Sequence, residues 1–155
     1  MSVTRLIEFS YRVLGVLLRS ARQSFWSIRS FAGPSDVWFA LRSMYRWHLT
    51  GRRVDRAGTF RDMALRTGRI FRIRPWTSDF EVLRKVLLGD QYAAVLNQLP
   101  KGPLILDFGA NIGASARLFL ERFPDAIVIA VEPDRENLEL LEFNVREFGS
   151  RCVIA

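Results

Sequence analysis

The clearest hydrophobic pattern of the sequence lies in its C-terminal third, where two apolar runs flank a segment of helical periodicity. The runs occupy residues 104–106 (LIL) and 126–131 (AIVIAV). Continuous runs of this kind are typical of strands that are buried on both faces of a parallel sheet. Between them, apolar residues recur at helical spacing from Ala114 to Phe123. The pattern predicts a strand–helix–strand crossover, and a third strand is predicted over residues 151–155.

Weaker patterns upstream predict a β-hairpin and several helices. Apolar residues on both sides of a turn at residues 66–68 predict the hairpin over residues 59–74. Ser78 and Glu81 have the spacing of a capping box, so Glu81 is interpreted as a helix cap rather than a catalytic acid. Helices are also predicted over residues 3–28, 35–50 and 91–99. The four tryptophans are expected in the core, with an interfacial belt as the alternative: Trp26, Trp38, Trp47 and Trp76.

The helix predicted over residues 3–28 is amphipathic and basic, with arginines on one side and apolar residues on the other. Its basic side contains Arg5, Arg12, Arg19 and Arg22, and Arg29 continues the stripe. Such a helix can lie on an anionic membrane, or its apolar side can pack on the domain or on another subunit, which is the preferred interpretation. Arginine recurs too often for a spanning segment of about 20 apolar residues. A peripheral membrane contact through residues 1–30 is kept as the alternative.

Composition and charge divide the chain into two regions. Of its 155 residues, 49% are hydrophobic, which excludes wholesale disorder. Residues 1–100 contain 17 Lys and Arg against 7 Asp and Glu, whereas residues 101–155 contain 6 against 9. We therefore expect a basic helical region over residues 1–56 and an α/β domain over residues 57–155. The chain has one Cys and one His, so neither a disulfide framework nor a protein metal site is predicted. The single Cys favours a reducing compartment, and a cytoplasmic location is predicted. No recognised motif favours nucleic acid binding.

A glycine-rich turn follows the first apolar run, over residues 107–113 (DFGANIG). Gly109 and Gly113 can adopt backbone angles closed to other residues, so a ligand can approach the main chain at the start of the helix. Unpaired amides are expected there, where they would suit a carboxylate or a phosphate. Glu132 follows Gly113 by 19 residues, close to the roughly 20 that separate a phosphate loop from a ribose-binding acid. The spacing predicts that Glu132 binds the two hydroxyls of a ribose.

The same turn distinguishes between two cofactors. Asn111 stands where the dinucleotide fingerprint has its second glycine, which makes pyrophosphate binding less favourable. Asp107 precedes the first glycine, where it would repel phosphate and attract a cation directly or through water. S-adenosylmethionine has an ammonium, a carboxylate and a ribose but no phosphate. It therefore fits the charge pattern better than NAD.

Taken together, residues 107–113 (DFGANIG) and 131–134 (VEPD) resemble motifs one and two of the FkbM-type S-adenosylmethionine-dependent methyltransferases, which are mostly O-methyltransferases of small molecules and glycans. Residues 76–79 (WTSD) with Tyr92 resemble the segment that leads into the family's first strand. The resemblance covers about residues 57–155 and implies a Rossmann-like, doubly wound α/β sheet with S-adenosylmethionine as cofactor.

The resemblance also implies roles for individual residues. Asp107 would hold the amino group of the cofactor and Glu132 its ribose. The methionine end would be lined by Gly109, Ala110, Asn111 and Gly113, and Pro133 belongs to the second motif.

Some parts of such a domain are missing from the pattern. The family's sheet has seven strands, whereas here the third strand falls at residues 151–155. We expect an N-terminal part of a methyltransferase that does not turn over by itself. Its first strand would keep an unpaired edge and an apolar face with nothing on it. No catalytic base is identified. An NAD(P)-binding oxidoreductase fragment and a non-catalytic membrane-associated fragment are the competing interpretations.

Overall fold

The computed structural model describes residues 29–50, 59–87 and 91–155, which contain two sheets and the helices around them. In chain order the elements are α1 (Pro34–Thr50), β1 (Arg61–Ala64), β2 (Ile70–Ile73), α2 (Asp79–Val86), α3 (Ala93–Leu96), β3 (Leu104–Phe108), α4 (Ala114–Arg122), β4 (Ile127–Val131), α5 (Arg135–Val145), a 3-10 helix (Arg146–Arg151) and β5 (Cys152–Ile154).

The larger sheet is parallel, with strand order β3-β4-β5. Each strand is connected to the next through a helix, α4 in the first crossover and α5 in the second. The register pairs Asp107 with Ala130 and Phe108 with Val131, so the acidic end of β3 lies beside the end of β4 that precedes Glu132. The predicted α/β, Rossmann-like sheet is therefore confirmed. Its three strands and α4 lie within a few residues of the predicted positions, whereas no helix was predicted at the position of α5.

Only one face of this sheet is covered by the described residues. Val128 and Ala130 face α4 and α5 and are fully buried, because consecutive right-handed crossovers in one direction place both helices on the same side. The other face carries Leu104, Leu106 and Phe108, and Phe108 is 75% exposed. The uncovered apolar face that was expected on β3 is therefore observed among the described residues, where the strands are buried on one face only.

The hairpin β1–β2 is antiparallel, as predicted, and packs with α1 and α2 around a second hydrophobic cluster. Two buried side chains connect β2 to the parallel sheet unit. Asn144 accepts from Arg72 N (2.7 Å) and donates to Arg72 O (2.9 Å). Arg117, 1% exposed, donates from Nη1 to Ile70 O and to Asn144 O, both at 2.9 Å. The hairpin is thus held by side chains of α4 and α5 that pair with its backbone.

Three local predictions need correction. The helix α2 begins at Asp79 as expected, but Ser78 makes no capping hydrogen bond through its side chain. Glu81 pairs with Arg84 one turn later instead (2.9 Å), because an arginine at that spacing on a helix competes for the carboxylate. Trp38 is 60% exposed, outside the core in which it was expected. The predicted helix 91–99 is shorter, spanning only Ala93–Leu96.

Several predictions fall outside the described residues. The amphipathic helix 3–28 lies before residue 29, and the boundary at residue 56 lies within the segment 51–58. The membrane contact of residues 1–30 and the division into 1–56 and 57–155 stay predictions. Among the helices that the structure describes, none has the length and apolar character needed to cross a membrane.

Candidate cofactor-binding site

The glycine-rich turn between β3 and α4 has an unusual backbone. Gly109, Asn111 and Gly113 have φ values of 78°, 51° and 84°, so every second residue is in the left-handed region. Asparagine tolerates this region better than most residues, because its short polar side chain can bond locally. Here Asn111 Oδ1 accepts from Ile112 N (2.7 Å). The side chain of Asn111 therefore stabilises the tight backbone of the turn.

The amide groups of the turn are all used within the protein. Gly109 N and Ala110 N donate to Val131 O (2.9 and 3.1 Å), and Gly113 N donates to Ala110 O (2.9 Å). Asn111 N donates to Glu132 Oε2 and Ile112 N donates to Asn111 Oδ1, both at 2.7 Å. The prediction of unpaired amides is therefore wrong for residues 109–113. The physical reason is that acceptors of the neighbouring strand end, Val131 O and Glu132 Oε2, and acceptors within the turn itself already occupy these amides.

The two glycines of the turn have different surroundings. A Cβ on Gly113 would lie 2.9 Å from Leu141 Cδ1 and 3.3 Å from Leu141 Cα, so α5 can pack there only against a glycine. A Cβ on Gly109 would meet no atom within 4 Å. Gly113 thus serves the close packing of a helix, whereas Gly109 leaves an open approach to the main chain.

Asp107 lies at the end of β3, half-buried beneath the first turn of α4. Its Oδ2 accepts from Ser115 Oγ (2.7 Å). Burial raises the pKa of this carboxyl, the bonds from Ser115 and from the Ala116 amide lower it, and the charge of Glu132 raises it further, so the net shift is upward. Among the described residues no Lys or Arg forms an ion pair with it. A desolvated carboxylate without a counter-charge favours a cation nearby.

Glu132 is buried at the end of β4 and joins the turn to α5. Besides Asn111 N, its carboxylate accepts from Asp134 N (3.1 Å) and from Asn137 Nδ2 (3.3 Å). The Asn137 amide is in turn held by Arg74 Nη2 at its oxygen (2.6 Å). A carboxylate has about four acceptor positions, so about one is left for a ligand hydroxyl.

A cavity of about 360 Å³ opens beside the turn, within the range of roughly 300–1,000 Å³ typical of small-molecule sites. Its lining comes from the turn and the start of α4 (Gly109, Ala110, Asn111 and Ser115) and from one face of α2 with its N-cap (Ser78, Glu81 and Lys85).

The structure brings three of the predicted site residues, Gly109, Ala110 and Asn111, to the cavity. Asp107 reaches it through its partner Ser115. Glu132 and Gly113 support the turn by the contacts described above, and Pro133 is exposed at the strand end.

Sequence reasoning missed Ser115 and Lys85. Ser115 could have been found, because a hydroxyl in the first helical turn after a strand-end acid can reach its carboxylate. Lys85 had no local signal, because only the packing of α2 against the turn places it at the cavity.

Comparisons with known proteins give only distant similarities. No family model matches the sequence, and the comparison with curated proteins found no match. Membership in the FkbM-type family therefore stays a prediction.

Among solved structures, the chain is similar to phosphoethanolamine N-methyltransferase 2 of Haemonchus contortus in complex with S-adenosylmethionine, at 14% identity over 75% of this chain and 37% of that chain, with a TM-score of 0.39. It is also similar to precorrin-6y C5,15-methyltransferase of Geobacter metallireducens, at 18% identity over 46% of this chain and 41% of that chain, with a TM-score of 0.38. A third structure, coclaurine N-methyltransferase bound to N-methylheliamine and S-adenosylhomocysteine, matches at 16% identity over 98% of this chain and 40% of that chain, with a TM-score of 0.38.

The chain thus spans less than half the length of each of these structures. At such identities and TM-scores the similarity does not identify a cofactor or a substrate. The cofactor is therefore inferred from the geometry of the turn.

Proposed function

We propose that the parallel sheet unit binds S-adenosylmethionine as the methyl donor of a methyltransferase. One observation carries this proposal: the turn is flanked by two carboxylates, Asp107 and Glu132, while the amides of residues 109–113 are all paired internally. An anionic pyrophosphate would meet negative charge and find no free donor in these five residues. A ligand with a cationic end and sugar hydroxyls suits the same surroundings.

The residues present fit such a ligand in charge and in space. Gly109 leaves room beside the main chain. Asp107, through Ser115, would provide the negative charge for the ammonium, and Glu132 would accept a bond from a ribose hydroxyl. When bound, S-adenosylmethionine supplies an electrophilic methyl group on its sulfonium sulfur. The contribution of the chain is to orient the donor, since holding the reacting atoms in near-attack geometry lowers the activation barrier substantially.

The acceptor is proposed from the resemblance rather than from the cavity. The motifs at residues 107–113 and 131–134 support an O-methyltransferase of the FkbM type, acting on a hydroxyl of a small molecule or a glycan. A general base that assists the acceptor hydroxyl is common in such chemistry. None of the described residues is assigned that role.

Calorimetric titration of the chain with S-adenosylhomocysteine and with NAD tests the proposal. We expect S-adenosylhomocysteine to bind more tightly, and Asp107→Asn to weaken that binding by about tenfold or more because a charged partner of the ammonium is lost. Asp125→Asn, at an exposed position outside the cavity, is the matched control. Tighter binding of NAD would favour the oxidoreductase interpretation and refute the proposal.

A further inference from the structure

We propose that Lys85 binds the carboxylate of the ligand's amino-acid end, so that α2 and the glycine turn each bind one of the two charges of a zwitterion. This inference rests on the proposed function and names a recognition residue for it. The turn, where a ligand carboxylate would otherwise be expected to bind, has no free backbone amide in residues 109–113.

The hydrogen bonds of the turn leave no backbone amide of residues 109–113 free for a ligand. A carboxylate at the start of a helix ordinarily uses free backbone amides. Here the amides of residues 109–113 donate to Val131 O, Ala110 O, Asn111 Oδ1 and Glu132 Oε2. A carboxylate that enters this cavity therefore finds no free amide in these five residues, and a cationic side chain would be its strongest partner.

The part of the lining that comes from α2 offers a cationic partner. Ser78, Glu81 and Lys85 stand at helical spacing on the face of α2 that lines the cavity. The charge of Glu81 is compensated by Arg84, whose Nη2 lies 2.9 Å from Glu81 Oε2. Lys85 is exposed and forms no ion pair with any described residue, and it is the single Lys or Arg among the described residues that line this cavity.

Among the described residues, the charges that remain uncompensated at the cavity therefore have opposite signs and lie on different elements. Asp107 supplies the negative charge behind Ser115, and Lys85 supplies the positive charge on α2. An α-amino acid group carries the matching pair, an ammonium and a carboxylate. A dinucleotide or a neutral ligand would leave at least one of these two side chains without a partner.

The composition of the chain makes a direct test possible, because Lys85 and Lys101 are its only two lysines. Lys101 is exposed and does not line the cavity, so it serves as an internal reference. The chain is treated with a limiting dose of an amine-acetylating reagent, alone or with S-adenosylhomocysteine, and the modified peptides are quantified by mass spectrometry. We expect S-adenosylhomocysteine to slow acetylation of Lys85 several-fold and to leave Lys101 unchanged. We expect 5′-methylthioadenosine, which lacks the amino-acid group, to protect neither lysine.

Calorimetry with variants completes the test. Lys85→Met should weaken S-adenosylhomocysteine by about tenfold or more while leaving its decarboxylated analogue unaffected, and Lys85→Arg should restore much of the loss. Lys101→Met is the matched control. Binding of S-adenosylhomocysteine without protection of Lys85, or equal protection by 5′-methylthioadenosine, overturns this inference alone. No binding of S-adenosylhomocysteine to the unmodified chain overturns the proposed function as well.

Discussion

The glycine turn has two sides that are built for different purposes. Its packed side, formed by Gly113 with Leu141, Arg117 and Asn144, is buried and closely fitted. Its pocket side, formed by Gly109, Ala110, Asn111 and Ser115, faces the cavity. Both glycines have a left-handed backbone, yet an added methyl group would collide on one side and meet open space on the other. A glycine in a motif can therefore be required for packing or for a ligand, and only its surroundings distinguish the two.

The largest effect on stability is expected from Arg117, which connects the packed side to the hairpin. Arg117→Met would leave the buried carbonyls of Ile70 and Asn144 without this donor and break the ion pairs with Glu121 and Glu147. We expect a loss of about 3–5 kcal/mol in the free energy of unfolding, measured by urea denaturation.

The control for Arg117 lies on the same helix. Arg122 is exposed, so Arg122→Met should change the free energy of unfolding by less than about 0.5 kcal/mol. Equal losses in the two variants would show that Arg117 is not a specific link between the hairpin and the parallel sheet unit.

The two glycines provide the second prediction. Gly113→Ala should cost about 2–4 kcal/mol of unfolding free energy, because the left-handed φ and the contact with Leu141 both penalise a side chain. Gly109→Ala should cost about 1–2 kcal/mol from its φ alone. Binding of S-adenosylhomocysteine should be more sensitive to the change at Gly109 when each variant is titrated well below its unfolding temperature. A greater stability loss at Gly109 would contradict the division into two sides.

The packed side was much harder to predict from the sequence than the elements themselves. Periodicity located β3, α4 and β4 to within a residue or two, because one strand pattern and one helix pattern determine which residues face the core. The roles of Arg117 and Asn144 depend on the backbone of β2, which is distant in the chain, and a charged residue in an amphipathic helix is ordinarily expected at the surface. No local pattern indicates such a contact.

The pocket side was predicted in its residues but not in its hydrogen bonds. Gly109, Ala110 and Asn111 were identified from the motif and do line the cavity. Their amides were expected to be free, whereas they bind Val131 and Glu132 at the end of the neighbouring strand. The pairing register between β3 and β4 determines which acceptors lie beside these amides. The sequence of the motif alone does not reveal that register.

The smallest effect on stability, and the one that separates the two sides most directly, is expected at Asp107. Burial is the largest cause that raises the pKa of its carboxyl above the ordinary value of 3.8, so the folded chain holds this proton more tightly than the unfolded chain. Between the unfolded and the raised folded pKa the folded state binds more protons, and its stability therefore falls as the pH rises through that window.

Asp107→Asn removes this titration. The variant should be slightly more stable than the original chain above the raised pKa, and the difference should shrink as the pH falls below it. Thermal unfolding of both chains across this pH range, with Asp125→Asn as the exposed control, measures the effect. Ligand binding should show the opposite sign, since an ammonium prefers the ionised carboxylate, so the affinity of the original chain for S-adenosylhomocysteine should rise with pH through the same window while that of the variant does not. A variant that is less stable at neutral pH would place Asp107 with the packed side, as a structural partner of Ser115, and would remove it from the ligand-binding residues.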